Sequence, residues 1–263
     1  MNGNGAGYAG NHLGVNMAYT KFFFVTPSRD DEATRAKLRT ASGIVARGFF
    51  NDFEAEGGRD TPPHETIQFL VRADHPSATG APYALQACSK YRPRLKDTEV
   101  ELQRRVGDIA EVTSMEGAAR NPQYTSAEMH AYAYKSAMAR GSGRVQRNVI
   151  IIPMSKSKEW WDKAALERQT YFYPHADRSG THVKGHARAA EPGISTIYRK
   201  LYYNPDGHSR DNEWDFVTYF ECADEHLATF DQICQALRDV RQNPEWRFVT
   251  EGPEWRGRRV LRW

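Results

Sequence analysis

Apolar and polar positions alternate in two stretches of the chain and recur at helical spacing in others. "YTKFFFVT" (19–26) is rich in aromatics and bounded by Pro27 and Ser28, which predicts a strand. "SRDDEATRAKLRTASGIVARGFFNDFE" (28–54) carries acids in its first turn and apolar residues at helical spacing, which predicts a helix. Residues 65–74 predict a second strand, 81–95 a helix and 106–115 a further strand. Residues 116–146 have weak periodicity and several glycines and predict a long connection.

The second half is clearer. "RNVIIIPM" (147–154) predicts a buried strand, and "KEWWDKAALERQTYFY" (158–173) a helix ended by Pro174. "ISTIYRKLYY" (194–203) and "EWDFVTYFEC" (213–222) predict a hairpin about the turn "NPDG". An amphipathic helix over 224–242 and a last strand over 245–252 follow. The order β-α-β-β-α-β is that of a ferredoxin-like unit. With the first half as a degraded second copy, the expected fold is α+β: two ferredoxin-like units side by side, as in a dimeric α+β barrel. The expected division is a tail over 1–18, a first unit over 19–115, a connection over 116–146 and a second unit over 147–263.

Composition narrows the function classes. The chain has 263 residues, 40% apolar and 26% charged, as in a globular protein. Its 36 basic and 33 acidic residues leave a charge of +3, too slight to argue for nucleic acid. No apolar run reaches the ~20 residues of a membrane span. The start lacks a basic and an apolar signal region. The three cysteines form no CxxC pair, so a reducing, cytoplasmic setting is expected.

The candidate chemistry lies in "YFYPHADRSGTHVKGHARAAEPGISTIYRKLYY" (171–203). Here His175, His182 and His186 fall within twelve residues. Solvated loop histidines are the plain alternative. Their spacing does not suit zinc: Gly185 interrupts the His182/His186 pair and no Glu follows His182. A single imidazole without thiolates suits haem iron better than structural zinc. Arg199 shares a strand face with Ile197, where a permanent charge either pairs with Glu213 or Asp215 across the hairpin or meets an anion. Phe216, Thr218 and Phe220 share a face that is either core or a pocket lining. Trp160 and Trp161 are core anchors or a cofactor wall.

The segments "NVIIIPMSKSKEWW", "ERQ", "YRKLYY", "DFVTYFE", "ATFDQICQALRDV" and "EWRFVTEGP", in this order over about 147–253, resemble the chlorite dismutase family. "NPQYTS" (121–126) resembles its haem-side tyrosine segment. The resemblance implies a haem b (iron) enzyme that decomposes chlorite to chloride and dioxygen through a ferryl intermediate. It implies a small anionic substrate, no nucleic-acid or membrane partner, and a homo-oligomeric ring, with a pentamer favoured. It assigns Arg199 as the distal arginine and Thr218 and Phe220 as distal lining. It puts Lys156, Trp160 and Tyr124 on the propionate side. A carboxylate supporting the iron-bound histidine falls on Glu245, and an ungapped count from Phe230 fits Gln242 equally. The proximal histidine lies thirteen residues before the arginine, which gives His186, or fourteen after the tryptophan pair, which gives His175. The chain carries an eleven-residue insertion between these anchors. His186 is favoured because the strand register leaves little slack, with His175 and then His182 behind it. Ile152 stands where coproheme decarboxylases of the same superfamily carry a reactive tyrosine. A haem enzyme of peroxidase, dehydratase or nitrogen–oxygen chemistry, and a non-enzymatic haem-binding protein, are the other readings.

Overall fold

The structure, a computed structural model, describes residues 18–49, 65–76, 78–119, 145–176, 179–207 and 214–263. In the first unit the elements are β1 (Tyr19–Pro27), α1 (Glu32–Phe49), β2 (Glu65–Arg72), β3 (Tyr83–Ser89), α2 (Arg92–Val106) and β4 (Ala110–Ala119). The second unit begins with β5 (Asn148–Lys156), α3 (Lys158–Asp162) and α4 (Ala165–Thr170). A two-residue hairpin follows, β6 (His175–Ala176) and β7 (His182–Val183), then α5 (Gly185–Ala190). It finishes with β8 (Ile197–Tyr203), β9 (Phe216–Cys222), α6 (Leu227–Arg238), β10 (Val249–Glu251) and β11 (Trp255–Val260).

Each unit has the ferredoxin-like strand order. The first runs β2-β3-β1-β4 and the second β11-β5-β9-β8, all antiparallel. Two seams join them, β2 to β11 and β4 to β8. Because β5 pairs β9 on one edge and β11 and β10 on the other, the ladder closes on itself as an eight-stranded barrel. One buried cluster draws a side chain from every one of those strands: Phe22, Leu70, Ala84, Ala119, Val149, Tyr202, Tyr219 and Trp255 among them. That cluster is the barrel interior.

Alternation along each strand sends the other set of side chains outward, where helices cover them. α1 places Leu38, Ala41, Val45 and Phe49 at helical spacing on Phe23, Val25, Leu85 and Ala87. α6 places Phe230, Ile233 and Cys234 on Ile150, Ile152, Ile197 and Cys222.

Three elements depart from the sequence reading. Residues 81–95 hold a strand and the start of α2, not one helix. β3 lies between β1 and β2 with Ala84–Ser89 all buried, so a strand covered on both faces shows no alternation to find. The helix over 158–173 is broken, since Lys163 and Ala164 are extended, with ψ of 142° and 147°. The last strand is shorter than 245–252: Pro244–Phe248 form a 3-10 turn before β10, and β11 follows after it.

Candidate haem-binding site

β5 sends Ile150, Ile152 and Met154 to the outer face beneath α6, and Lys156 ends the same alternating row. Asp215, buried just before β9, fixes the turn out of β5. Its Oδ2 accepts the Lys156 backbone N–H at 2.7 Å and Trp161 Nε1–H at 3.1 Å. Trp160 is fully buried, its ring edge-on to Tyr171 and tilted against Phe248. Lys156 Nζ lies over that ring, 3.9 Å from its centroid.

The Lys156 ammonium donates to Glu245 Oε1 in the 3-10 turn before β10. Glu245 Oε2 lies 3.0 Å from His186 Nδ1. His186 stands in the first turn of α5, half-buried, its ring 5.2 Å from that of Phe172. Lysine, carboxylate and imidazole thus form one hydrogen-bonded row. Burial raises the Glu245 carboxyl, but the Lys156 ammonium and His186 outweigh it and hold the group at about 2. Burial pushes the Lys156 ammonium down, against the pull of the same carboxylate. A carboxylate accepting from Nδ1–H fixes the imidazole tautomer and leaves the lone pair on Nε2. Among the described residues, Nδ1 is the ring nitrogen in a hydrogen bond.

Of the three candidate histidines, His186 is the one that meets a carboxylate. His175 Nδ1 lies 2.9 Å from the Tyr173 carbonyl oxygen, and His182 is exposed on β7. Among the described residues no group of three His, Cys, Asp or Glu side chains converges to hold a metal ion. Gln242 contributes its backbone: its carbonyl accepts the N–H groups of Lys184 and Gly185.

Arg199 pairs Phe220 across β8 and β9, and Leu201 pairs Thr218. All four side chains point to the outer face and are half-buried, between the buried Ile197–Cys222 and Tyr203–Phe216 pairs at the strand ends. Thr218 Oγ1–H donates to the Ile152 carbonyl at 2.9 Å, and Phe220 meets Phe230 edge-on. Asp215, weighed above as a partner of Arg199, lies at the opposite end of the hairpin, beyond the Tyr203–Phe216 pair. Glu213 and Tyr124 fall outside the described residues.

Among the described residues, the second unit thus offers the His186 imidazole held through Nδ1, the half-buried Leu201, Thr218 and Phe220, and the guanidinium of Arg199 on the same strand face. A flat apolar macrocycle that needs a single axial nitrogen fits this donor set. The resemblance put Lys156 and Trp160 on the propionate side; the structure joins Lys156 to Glu245, the carboxylate facing His186, and lays its ammonium over the Trp160 ring. Asp215 and Phe172 complete the surroundings. Neither has a sequence signal, because both act through contacts distant along the chain.

No protein-family profile matches the chain. Solved structures do match it. A doubly substituted chlorite dismutase from Candidatus Nitrospira defluvii superposes with a TM-score of 0.67 at 18% identity, covering 92% of this chain and 91% of that one. The same enzyme in complex with imidazole gives 0.66 at 20% identity, over 92% and 91%. A singly substituted form in complex with cyanide gives 0.65 at 19%, over 92% and 90%. The fold is that of chlorite dismutase. The match to the chlorite dismutase fold covers both ferredoxin-like units and the barrel they close. Among the described residues, no helix is long and apolar enough to cross a membrane.

Proposed function

We propose that this chain is a haem b enzyme of the chlorite dismutase family, acting on a small anion, with chlorite as the test substrate. The observation that carries the reading is the His186–Glu245–Lys156 row on the same sheet face as Arg199, Thr218 and Phe220. His186 is the iron ligand through Nε2. Glu245 holds its Nδ1 proton and raises the basicity of the ring. Lys156 neutralises the buried carboxylate, so the proton stays on the imidazole. When bound, the haem supplies a redox-active iron able to break and make bonds to oxygen.

Arg199 provides the anion subsite. Its guanidinium is charged at every working pH, and it is half-buried opposite Phe220, where attraction for a small anion exceeds its value in water. Thr218 and Phe220 shape the same wall. The net reaction, one chlorite to one chloride and one dioxygen, consumes no proton and no external electron. The chain's task is therefore to position and retain an anion. Ile152, nearly fully buried with its carbonyl engaged by Thr218, offers no phenol there, which speaks against decarboxylation of a haem propionate.

A second reading is a haem enzyme of peroxidase, dehydratase or nitrogen–oxygen chemistry. The hairpin β6–β7, inserted immediately before His186, favours it. The reading also includes a homo-oligomeric ring, a pentamer by resemblance, and a reducing cytoplasmic setting in which Cys88, Cys222 and Cys234 stay free.

Titration with haemin, followed by a chlorite assay on an oxygen electrode, tests the proposal. One Soret-absorbing haem per chain with dioxygen release is the expected result. Haem retention with peroxide-dependent oxidation and no dioxygen selects the second reading. No Soret band beyond that of free haemin overturns both.

A further inference from the structure

The eleven-residue insertion before His186 raises a problem of chain path. The chain leaves α4, runs out through β6, returns through β7 and must still present His186 to Glu245. The return is made at Gly185, whose φ is +69°, a left-handed conformation that glycine adopts without strain. A side chain is also excluded by contact. A Cβ at 185 would lie 2.6 Å from the Tyr173 carbonyl oxygen and 3.0 Å from that of Tyr171. Both carbonyls are engaged. Tyr171 accepts the His186 backbone N–H at 3.2 Å, and the Tyr173 oxygen is 2.9 Å from His175 Nδ1. The next rung is equally tight, Ala187 N–H to Phe172 at 2.9 Å. On the other side, the N–H groups of Lys184 and Gly185 both donate to the Gln242 carbonyl, at 3.1 and 3.0 Å. Gln242 lies three residues before Glu245.

We infer that Gly185 is a positioning residue for the axial ligand. Its left-handed backbone and missing Cβ let the inserted hairpin close onto Tyr171–Tyr173 on one side and Gln242 on the other. That closure fixes the start of α5, and with it the His186–Glu245 hydrogen bond, whatever the hairpin itself does. This rests on His186 being the iron ligand.

The test compares Gly185→Ala with Gly180→Ala in the full chain loaded with haemin. Gly180 sits at the hairpin tip with φ +81°, and a Cβ there meets nothing within 4 Å. The two variants therefore carry similar backbone strain, but only one has the carbonyl contacts. Gly185→Ala is expected to bind haemin about 10–100-fold more weakly, the usual effect of disturbing a ligand's support. In the ferrous form its iron–histidine stretching frequency is expected to fall towards that of Glu245→Gln. Gly180→Ala is expected to match the wild type in both. Should Gly185→Ala not fold, Gly185→Asn, which tolerates the left-handed backbone but brings the same Cβ, replaces it with the same expectation. Wild-type affinity and stretching frequency in the Gly185 variant overturn the inference and leave the haem reading standing. A wild type that takes up no haemin overturns both.

Discussion

The two outer faces of the barrel are built to the same plan and finished differently. In the first unit the row Phe23, Val25, Leu85 and Ala87 is wholly buried under the eighteen-residue α1. In the second, the chain between β5 and β8 supplies no such helix. It breaks into α3, α4, a hairpin and α5, none longer than six residues. Arg199, Leu201, Thr218 and Phe220 are left half-buried, and so is His186. The same supersecondary unit makes a closed core when one long amphipathic helix covers it, and leaves side chains half-buried when that cover is cut into pieces.

Four tests would break or sharpen this contrast. The largest effect is expected from His186→Ala, which should abolish stoichiometric haemin binding, whereas His175→Ala should retain it; the Soret titration reads both. Arg199→Ala comes next. It should keep haem yet lower anion turnover by about 100–1,000-fold, the usual cost of removing one charge-stabilising donor; steady-state chlorite consumption would show it.

Truncations in the two rows should then part company. Leu85→Ala, in the sealed face, is expected to destabilise the apoprotein by about 2–5 kcal/mol. Phe220→Ala, in the open face, should cost less than Leu85→Ala in the same urea titration while changing haem affinity more.

Acid should act on the second unit through Glu245. Its carboxyl, ordinarily near 4.5, is held at about 2 in the folded chain. The folded state binds that proton less readily than the unfolded state. Its contribution is therefore complete above about pH 4.5 and is lost as the pH falls towards 2. A shift of that size corresponds to about 3 kcal/mol. Glu245→Gln should flatten that part of the stability–pH curve, and a slope unchanged by the substitution would contradict the assignment.

What could be read in the sequence follows the same division. β8 and β9 alternate, and α6 repeats at helical spacing, because each has one buried and one open face. Their outlines, the face shared by Ile197 and Arg199, and that shared by Phe216, Thr218 and Phe220 were therefore legible, whereas the register that brings the two together was not. β3 was not. Its residues Ala84, Leu85, Gln86 and Ala87 are good helix formers, and a strand buried on both faces leaves no period of two. β11 was hidden by its three arginines, two of which are buried. Arg256 pairs with Asp231 and Glu254, and Arg259 with Glu221, contacts that no local pattern announces. The proposal of His186 over His175 and His182 rests on Glu245, 59 residues from His186, and on Lys156, 89 residues from Glu245. Spacing alone narrowed it to two counts that could not both hold. If His186 is the ligand, as proposed, the hairpin β6–β7 holds the surplus residues before it.

The closure of the barrel also sets an order of assembly. Every ladder of the first unit lies within residues 19–119, so it can form as soon as that stretch is made. The seam between β2 and β5 has to wait for β11, which pairs with both and is the last strand in the chain. Until Trp255–Val260 leave the ribosome, two strands stand with open edges, the situation in which unpaired N–H and C=O groups recruit neighbouring chains. A chain released before Trp255 would be expected to aggregate through these edges, whatever the state of its helical cover.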